Sequence, residues 1–170
     1  ISIARLEKDV PVVGVIYNPC TDEMFEAVKE GGARLNGETI CANNQQTVEG
    51  TRMLGHASMF AHKDWPEPWP DMTISEPVPN ALAYRLALVA AGKWDAAIAL
   101  SHKCDWDLAA ATLILEEAGG LCTDHKARAY LFNGRTPVQR SVVAAGALLH
   151  PLLIDRVHMV SIPDPRGHEC

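Results

Sequence analysis

The chain has 170 residues, 48% of them hydrophobic, and 15 lysine plus arginine against 21 aspartate plus glutamate give a net charge of -6. That length suits one domain with a real core, and the composition excludes intrinsic disorder as the main state. The negative balance opposes binding to a phosphate backbone, and the longest apolar runs, 86–92 and 95–100, are split by Lys93 and Asp95, short of the ~20 residues of a bilayer span, so neither nucleic acid nor membrane is an expected partner.

From the N-terminus, Ile1 and Ile3, then Val13, Val15 and Tyr17, then Met24 to Val28 alternate as half-buried strands do. Asn18-Pro19 and Asn36-Gly37 punctuate these runs, and Asn-Gly between apolar residues is a strong hairpin signal. An antiparallel meander is predicted over 1–42 and a further strand over 51–58. Within 62–71, Pro66, Pro68 and Pro70 surround Trp65 and Trp69 and predict a loop, because proline continues neither helix nor sheet. Beyond it Asn80 suits an N-cap, Leu82, Leu86 and Val89 recur at helical spacing, and Gly92 suits the C′ position. A buried strand over 94–100, a helix over 107–118 stopped by Gly119-Gly120, and a short strand over 121–123 follow. A strand over 141–145 and a helix over 148–157 complete the series. Such alternation predicts an α/β layer with largely parallel pairing, and the tail over 163–170 is expected to be mobile.

Cys20, Cys41, Cys104, Cys122 and Cys170 are odd in number, widely spaced and without C-x-x-C, so neither a disulfide framework nor a structural zinc site is indicated and a reducing cytoplasm is the expected setting. The sequence opens on Ile1 with no signal peptide in front of it, which predicts a missing upstream part. The seven histidines show no H-x-H, H-x-x-x-H or H-E-x-x-H spacing, so a zinc hydrolase lacks its ligands. Neither Ser58 nor Ser101 lies in G-x-S-x-G, and no G-x-G-x-x-G or G-K-[ST] cradle occurs.

The most informative stretch runs from Cys104 to Gly120. Asp107 falls at or next to a helix start, and Ala109, Ala110 and Ala111 permit close packing. Two readings of Asp107 stand side by side: a helix cap worth about 1 kcal/mol, or a carboxylate ligand for a hard cation such as magnesium. Asp105, two residues earlier, shares its face if the approach is extended. Glu116-Glu117 reads as a solvated pair late in the helix. Lys103 reads by default as an exposed lysine.

Several ordered segments carry a resemblance. Trp106-Asp107-x-Ala109-Ala110-Ala111, Leu113-Ile114-Leu115, Glu117-Ala118-Gly119-Gly120 and Thr123-Asp124 resemble the C-terminal signature of the inositol monophosphatase family. Gly14-Val15-Ile16-Tyr17-Asn18-Pro19, Asp22-Glu23-Met24-Phe25 with Ala27, and Gly32-Ala33-x-Leu35-Asn36-Gly37 are similar to its central hairpins. Leu88-Val89-Ala90 with Gly92, and Val143-Ala144-Ala145-Gly146, extend the match, so that it covers essentially residues 1–158.

The resemblance implies a layered α/β sandwich in which a meander precedes a mixed, largely parallel α/β layer. The implied division is 1–58 for the antiparallel sheet of an incomplete N-terminal domain, 59–79 for a proline-rich connection, 80–158 for a C-terminal α/β domain and 159–170 for a tail. It implies magnesium-dependent hydrolysis of a small phosphate monoester by metal-activated water, in a cytoplasmic homodimer. Asp107 is then a Mg2+ ligand, Trp106 a supporting residue, and Asn80, Ala81, Leu82 and Lys103 the substrate side. The family's upstream Glu and its Asp-x-x-Asp-Gly-Thr loop do not occur in this sequence, so this chain alone is expected to be inactive, with a catalytically silent fragment or a dimerisation module as the alternative. Leu100 stands where the animal inositol enzymes carry a ring-contacting glutamate, and Asn80-Ala81 replaces Gly-Ser/Thr. A 3′-phosphonucleotide, or a sugar or histidinol phosphate, therefore stands beside inositol monophosphate as substrate.

Overall fold

The computed structural model describes residues 1–61 and 65–163; three residues of the predicted 62–71 loop, and the predicted tail after Pro163, lie outside them. Five strands, β1 (Ser2–Glu7), β2 (Val10–Asn18), β3 (Glu23–Val28), β4 (Ala33–Leu35) and β5 (Glu38–Thr39), form the expected meander, each antiparallel to the next. Asn36 and Gly37 turn β4 into β5 with φ of 50° and 85°, the positive pair a tight hairpin needs. Alternation then sorts the side chains. Leu6, Ile16, Phe25 and Ala27 face the core, while Ile1, Ile3, Met24 and Val28 lie on the exposed side.

The remaining elements are β6 (Arg52–Leu54), α1 (Ala57–Phe60), β7 (Thr73–Ile74), α2 (Leu82–Ala90), β8 (Ala96–Ala99), β9 (Lys103–Cys104), α3 (Asp105–Glu117), β10 (Gly120–Thr123), β11 (Val138–Gln139), β12 (Val142–Gly146) and α4 (His150–Val157). A second sheet has the order β10-β12-β8-β6-β7. The strand predicted over 51–58 is therefore only β6. It pairs with β8 rather than with the meander, and the chain turns into the short helix α1 directly after Gly55 and His56.

Parallel pairing holds for β6 with β7 and with β8, but β12 is antiparallel to both β8 and β10. The sheet is thus mixed rather than largely parallel. The strand-helix-strand unit β8-α3-β10 does place its two strands in the same direction. It leaves a gap between them, which β12 fills from the opposite side, and sequence alternation carries no information about such an insertion.

Helices α2 and α3 lie between the sheets, in a core that joins Leu86, Val89, Leu108, Ile114 and Leu115 to Phe25 of the meander. Close approach of α3 depends on small residues at the contact: a Cβ on Gly14 would sit 2.9 Å from the Ala110 carbonyl oxygen, as the alanine run predicts. On the far face of the second sheet, Leu149, Leu153 and Val157, from α4 and the residue before it, cover Met53, Ile98 and Val143. Gly92 ends α2 as expected, with φ of 65° and its N–H on the Val89 carbonyl, while Lys93 N–H reaches Leu88. Glu117 is not a free surface group. Its carboxylate accepts the N–H groups of Glu30 and Gly32 at 2.7 and 2.8 Å, and so ties the end of α3 to the β3–β4 turn. Cys20, Cys41 and Cys122 are free thiols, whereas Cys104 is disulfide-bonded, which the cysteine spacing does not indicate. Among the described residues no helix is long and apolar enough to cross a membrane.

Candidate functional site

Strands β6 and β8 run side by side in one direction, so their two ends differ. At the amino ends Arg52 and Asp95 are paired: the Asp95 carboxylate accepts from Arg52 N, Nε and Nη2 at 2.7, 3.1 and 2.7 Å and from Asn43 Nδ2 at 2.6 Å. Burial alone would raise the Asp95 carboxyl, but the bonds from Arg52 and Asn43 outweigh it and hold the group below the usual carboxylate range. The carboxyl ends of the same strands open on a cavity of about 680 Å³. In parallel α/β sheets that is the end at which ligands bind, because the loops leaving it diverge around open space.

Asn80, Ala81, Leu82, Leu100, Lys103 and Asp107 all line this cavity, so the structure brings together five of the six site residues read from the sequence, with Leu100 beside them. Trp106 is the exception. It is exposed and lines a separate cavity with Ser2, Asp105 and Asn133, its carbonyl accepting a bond from Ser2 Oγ at 3.1 Å. Helix α3 begins at Asp105 with Cys104 as N-cap, two residues before the predicted start. Asp107 is therefore a first-turn residue, not the cap. Because the segment is helical, Asp105 and Asp107 point about 200° apart instead of sharing a face. The Asp105 carboxylate is spent on Asn133 N–H and Gln139 Nε2, at 2.9 and 2.8 Å.

Asn80 likewise does not cap α2. Ala81 is the N-cap, with no side-chain bond and no acidic residue in the first turn. The free N–H groups and the positive end of the helix dipole are left at the cavity wall. Lys103 is held by the two-residue ladder of β9 with β11, an element no periodicity announces. Its ammonium donates to Ser101 Oγ at 2.7 Å and to the His102 carbonyl at 2.9 Å. Burial lowers its pKa from the ordinary lysine value, Asp107 opposes that shift and Arg85 adds to it, which puts the three charges within each other's field.

Arg85, His56, Ser58 and Ser101 also line the cavity; of these the sequence draws attention only to the two serines, as nucleophiles without a G-x-S-x-G frame. Arg85 did leave a signal: it is the one charged residue in the apolar helical run 82–90. Its side chain is buried, its Nε donates to the Pro79 carbonyl, and burial lowers its pKa. Among the described residues, two cations against one carboxylate, beside a bare helix N-terminus, make the cavity an anion-favouring site. Among the described residues no three His, Cys, Asp or Glu side chains converge to hold a metal ion. Among the described residues Asp107 is the one carboxylate lining the cavity, so they alone do not make a magnesium site, and no catalytic step is assigned to a metal held by them.

The model of the inositol monophosphatase family matches residues 1–161. The chain belongs to that family. It is 32% identical over 135 residues to "Inositol monophosphatase 2" of Solanum lycopersicum, covering 73% of this chain and 49% of that protein. To "Nus factor SuhB" of Pasteurella multocida it is 32% identical over 141 residues, covering 79% and 52%. The solved inositol monophosphatase of Anabaena (Nostoc) sp. PCC 7120 superposes with a TM-score of 0.73 at 25% identity, over 94% of this chain and 64% of that one. The chain thus spans about half the length of these sequence relatives, and its layered fold is that of the family.

Proposed function

We propose that this cavity is the substrate-side part of a site that hydrolyses small phosphate monoesters. The observation that carries the reading is the convergence of Asp107, Lys103 and the uncapped start of α2 at the carboxyl ends of β6 and β8. Lys103 and the α2 N–H groups suit phosphate oxygens. Asp107 suits a Mg2+ ion whose other ligands come from outside the described residues. When bound, that ion would neutralise phosphate charge and acidify an attacking water. Leu100 offers no acceptor to a ring hydroxyl, so inositol monophosphate is not strongly preferred over a 3′-phosphonucleotide or a simple sugar phosphate. The enzyme is read as a cytoplasmic homodimer.

The test is phosphate release from a panel of monoesters by a version extended upstream to the length of the relatives. Turnover is expected with Mg2+ and is lost with EDTA and with Asp107→Asn, while the 170-residue chain alone turns over negligibly. An extended version inert on every ester would overturn the reading. A second reading, a binding or dimerisation module without turnover, is favoured by the single carboxylate that the described residues place in the cavity. It predicts ester binding by the extended version with no release of phosphate.

A further inference from the structure

Arg85 carries a charge that no described residue neutralises. It is 6% exposed, in a helix whose neighbouring Leu86 and Val89 are completely buried. Its Nε donates to the Pro79 carbonyl and its Nη2 reaches the Asn80 carbonyl at 3.3 Å. Among the described residues no carboxylate pairs with the guanidinium. Both bonds go to carbonyl oxygens, which orient the group without neutralising it.

Burying a cation is unfavourable unless an anion accompanies it. Arg85 also lines the cavity, so its missing anion has a route in. Lys103 and the start of α2 already provide for one phosphate, and a second, more deeply set cation is surplus to a simple monoester.

We propose that Arg85 binds a second anionic group of the substrate, a phosphate or a carboxylate carried on the alcohol part of the ester. The inference rests on the reading of this cavity as a phosphate-ester site and adds what the alcohol part must contain. A guanidinium held at Nε and Nη2 keeps its planar fork fixed, and a fixed fork recognises the oxygens of phosphate or carboxylate with little further loss of entropy. It also gives the site a specificity element in a wall where Leu100 and Met59 offer a hydroxyl nothing.

Titration calorimetry of the 170-residue chain with glucose 1-phosphate, glucose 1,6-bisphosphate and glucuronic acid 1-phosphate tests this. At least one doubly anionic ester is expected to bind about tenfold or more tighter than glucose 1-phosphate, and which of the two does so identifies the group. Arg85→Gln brings that ratio below about threefold, whereas Lys103→Gln weakens all three esters and keeps it. Should Arg85→Gln fail to fold, Arg85→Lys takes its place, and loss of the fork lowers the ratio by about threefold or more. Equal affinities in the unsubstituted chain, or a ratio that survives substitution of Arg85, would overturn the role of Arg85 while leaving the phosphate-ester reading intact. If no ester binds to this chain or to the version extended upstream, both fall.

Discussion

Arg52 and Arg85 stand at opposite ends of the same part of the fold and are treated in opposite ways. Arg52 is half exposed, yet it is matched by a buried carboxylate and by the Gly92 carbonyl. Arg85 is buried and has only carbonyls for partners among the described residues. The amino ends of β6 and β8 are closed by interactions within the chain, while at their carboxyl ends charge is left over. Surplus charge in a wall, rather than charge as such, separates a ligand site from a structural clasp.

The clasp breaks most severely through its backbone. Gly146, at the end of β12, lies so close to Asn43 that a Cβ would come within 2.0 Å of the Asn43 carbonyl oxygen. Asn43 is also a partner of Asp95. Gly146→Ala is expected to cost about 3 kcal/mol or more, because backbone on both sides of the contact must shift; urea unfolding reads it directly. Asp95→Ala, which strands Arg52 and Asn43 together, is expected to cost about 2–3 kcal/mol in the same assay. A loss under about 0.5 kcal/mol, the range of an ordinary surface substitution, would remove the contrast between the two ends.

How much of this was legible before the structure depends on how local each signal is. The meander was legible because alternation has a period of two and Asn36-Gly37 permits one kind of turn. Asp107 was legible because its surroundings, Trp106 and the alanines after it, form a contiguous motif. Arg85 was not, since one arginine in an apolar helical run is equally a residue that reaches solvent, and only the cavity shows that it does not. The misplacement of Asp105 has the same origin: whether two acids share a face depends on whether the segment is extended or helical, and the helix began two residues early. The position of β12 between β8 and β10 depends on long-range pairing that no window of sequence contains.

A third, milder test concerns pH. Glu23 joins the meander to the helical layer, accepting from Thr21 Oγ1 at 2.6 Å, from Tyr84 Oη and from Lys93 Nζ. Burial pushes its carboxyl upward, but the bonds from Lys93, Thr21 and Tyr84 win and lower it to about 2. A depressed folded-state value means that the stability Glu23 contributes is fully present above its ordinary value of 4.5 and is lost as pH falls from there toward about 2. Thermal unfolding across that window is expected to be steeper in pH for the unsubstituted chain than for Glu23→Gln. Identical slopes would show that Glu23 is not a stabilising link.

The smallest expected effect is the most telling for the comparison. Arg85→Gln is expected to change stability by less than about 1 kcal/mol in either direction, because the lost carbonyl bonds are offset by relief of an uncompensated buried charge. A loss as large as that of Asp95→Ala would mean that Arg85 belongs to the structural clasp class after all.

The central claim, that anions bind at the carboxyl ends of β6 and β8 and not at their amino ends, is tested most directly by titrating inorganic phosphate into the ¹⁵N-labelled 170-residue chain. Amide shifts should move at Leu82, Ala83, Ser101 and Lys103, with the Arg85 side-chain signal moving as well, and should stay still at Asn43, Arg52 and Asp95. Shifts confined to the Arg52–Asp95 end, or shifts nowhere at millimolar phosphate, would contradict it.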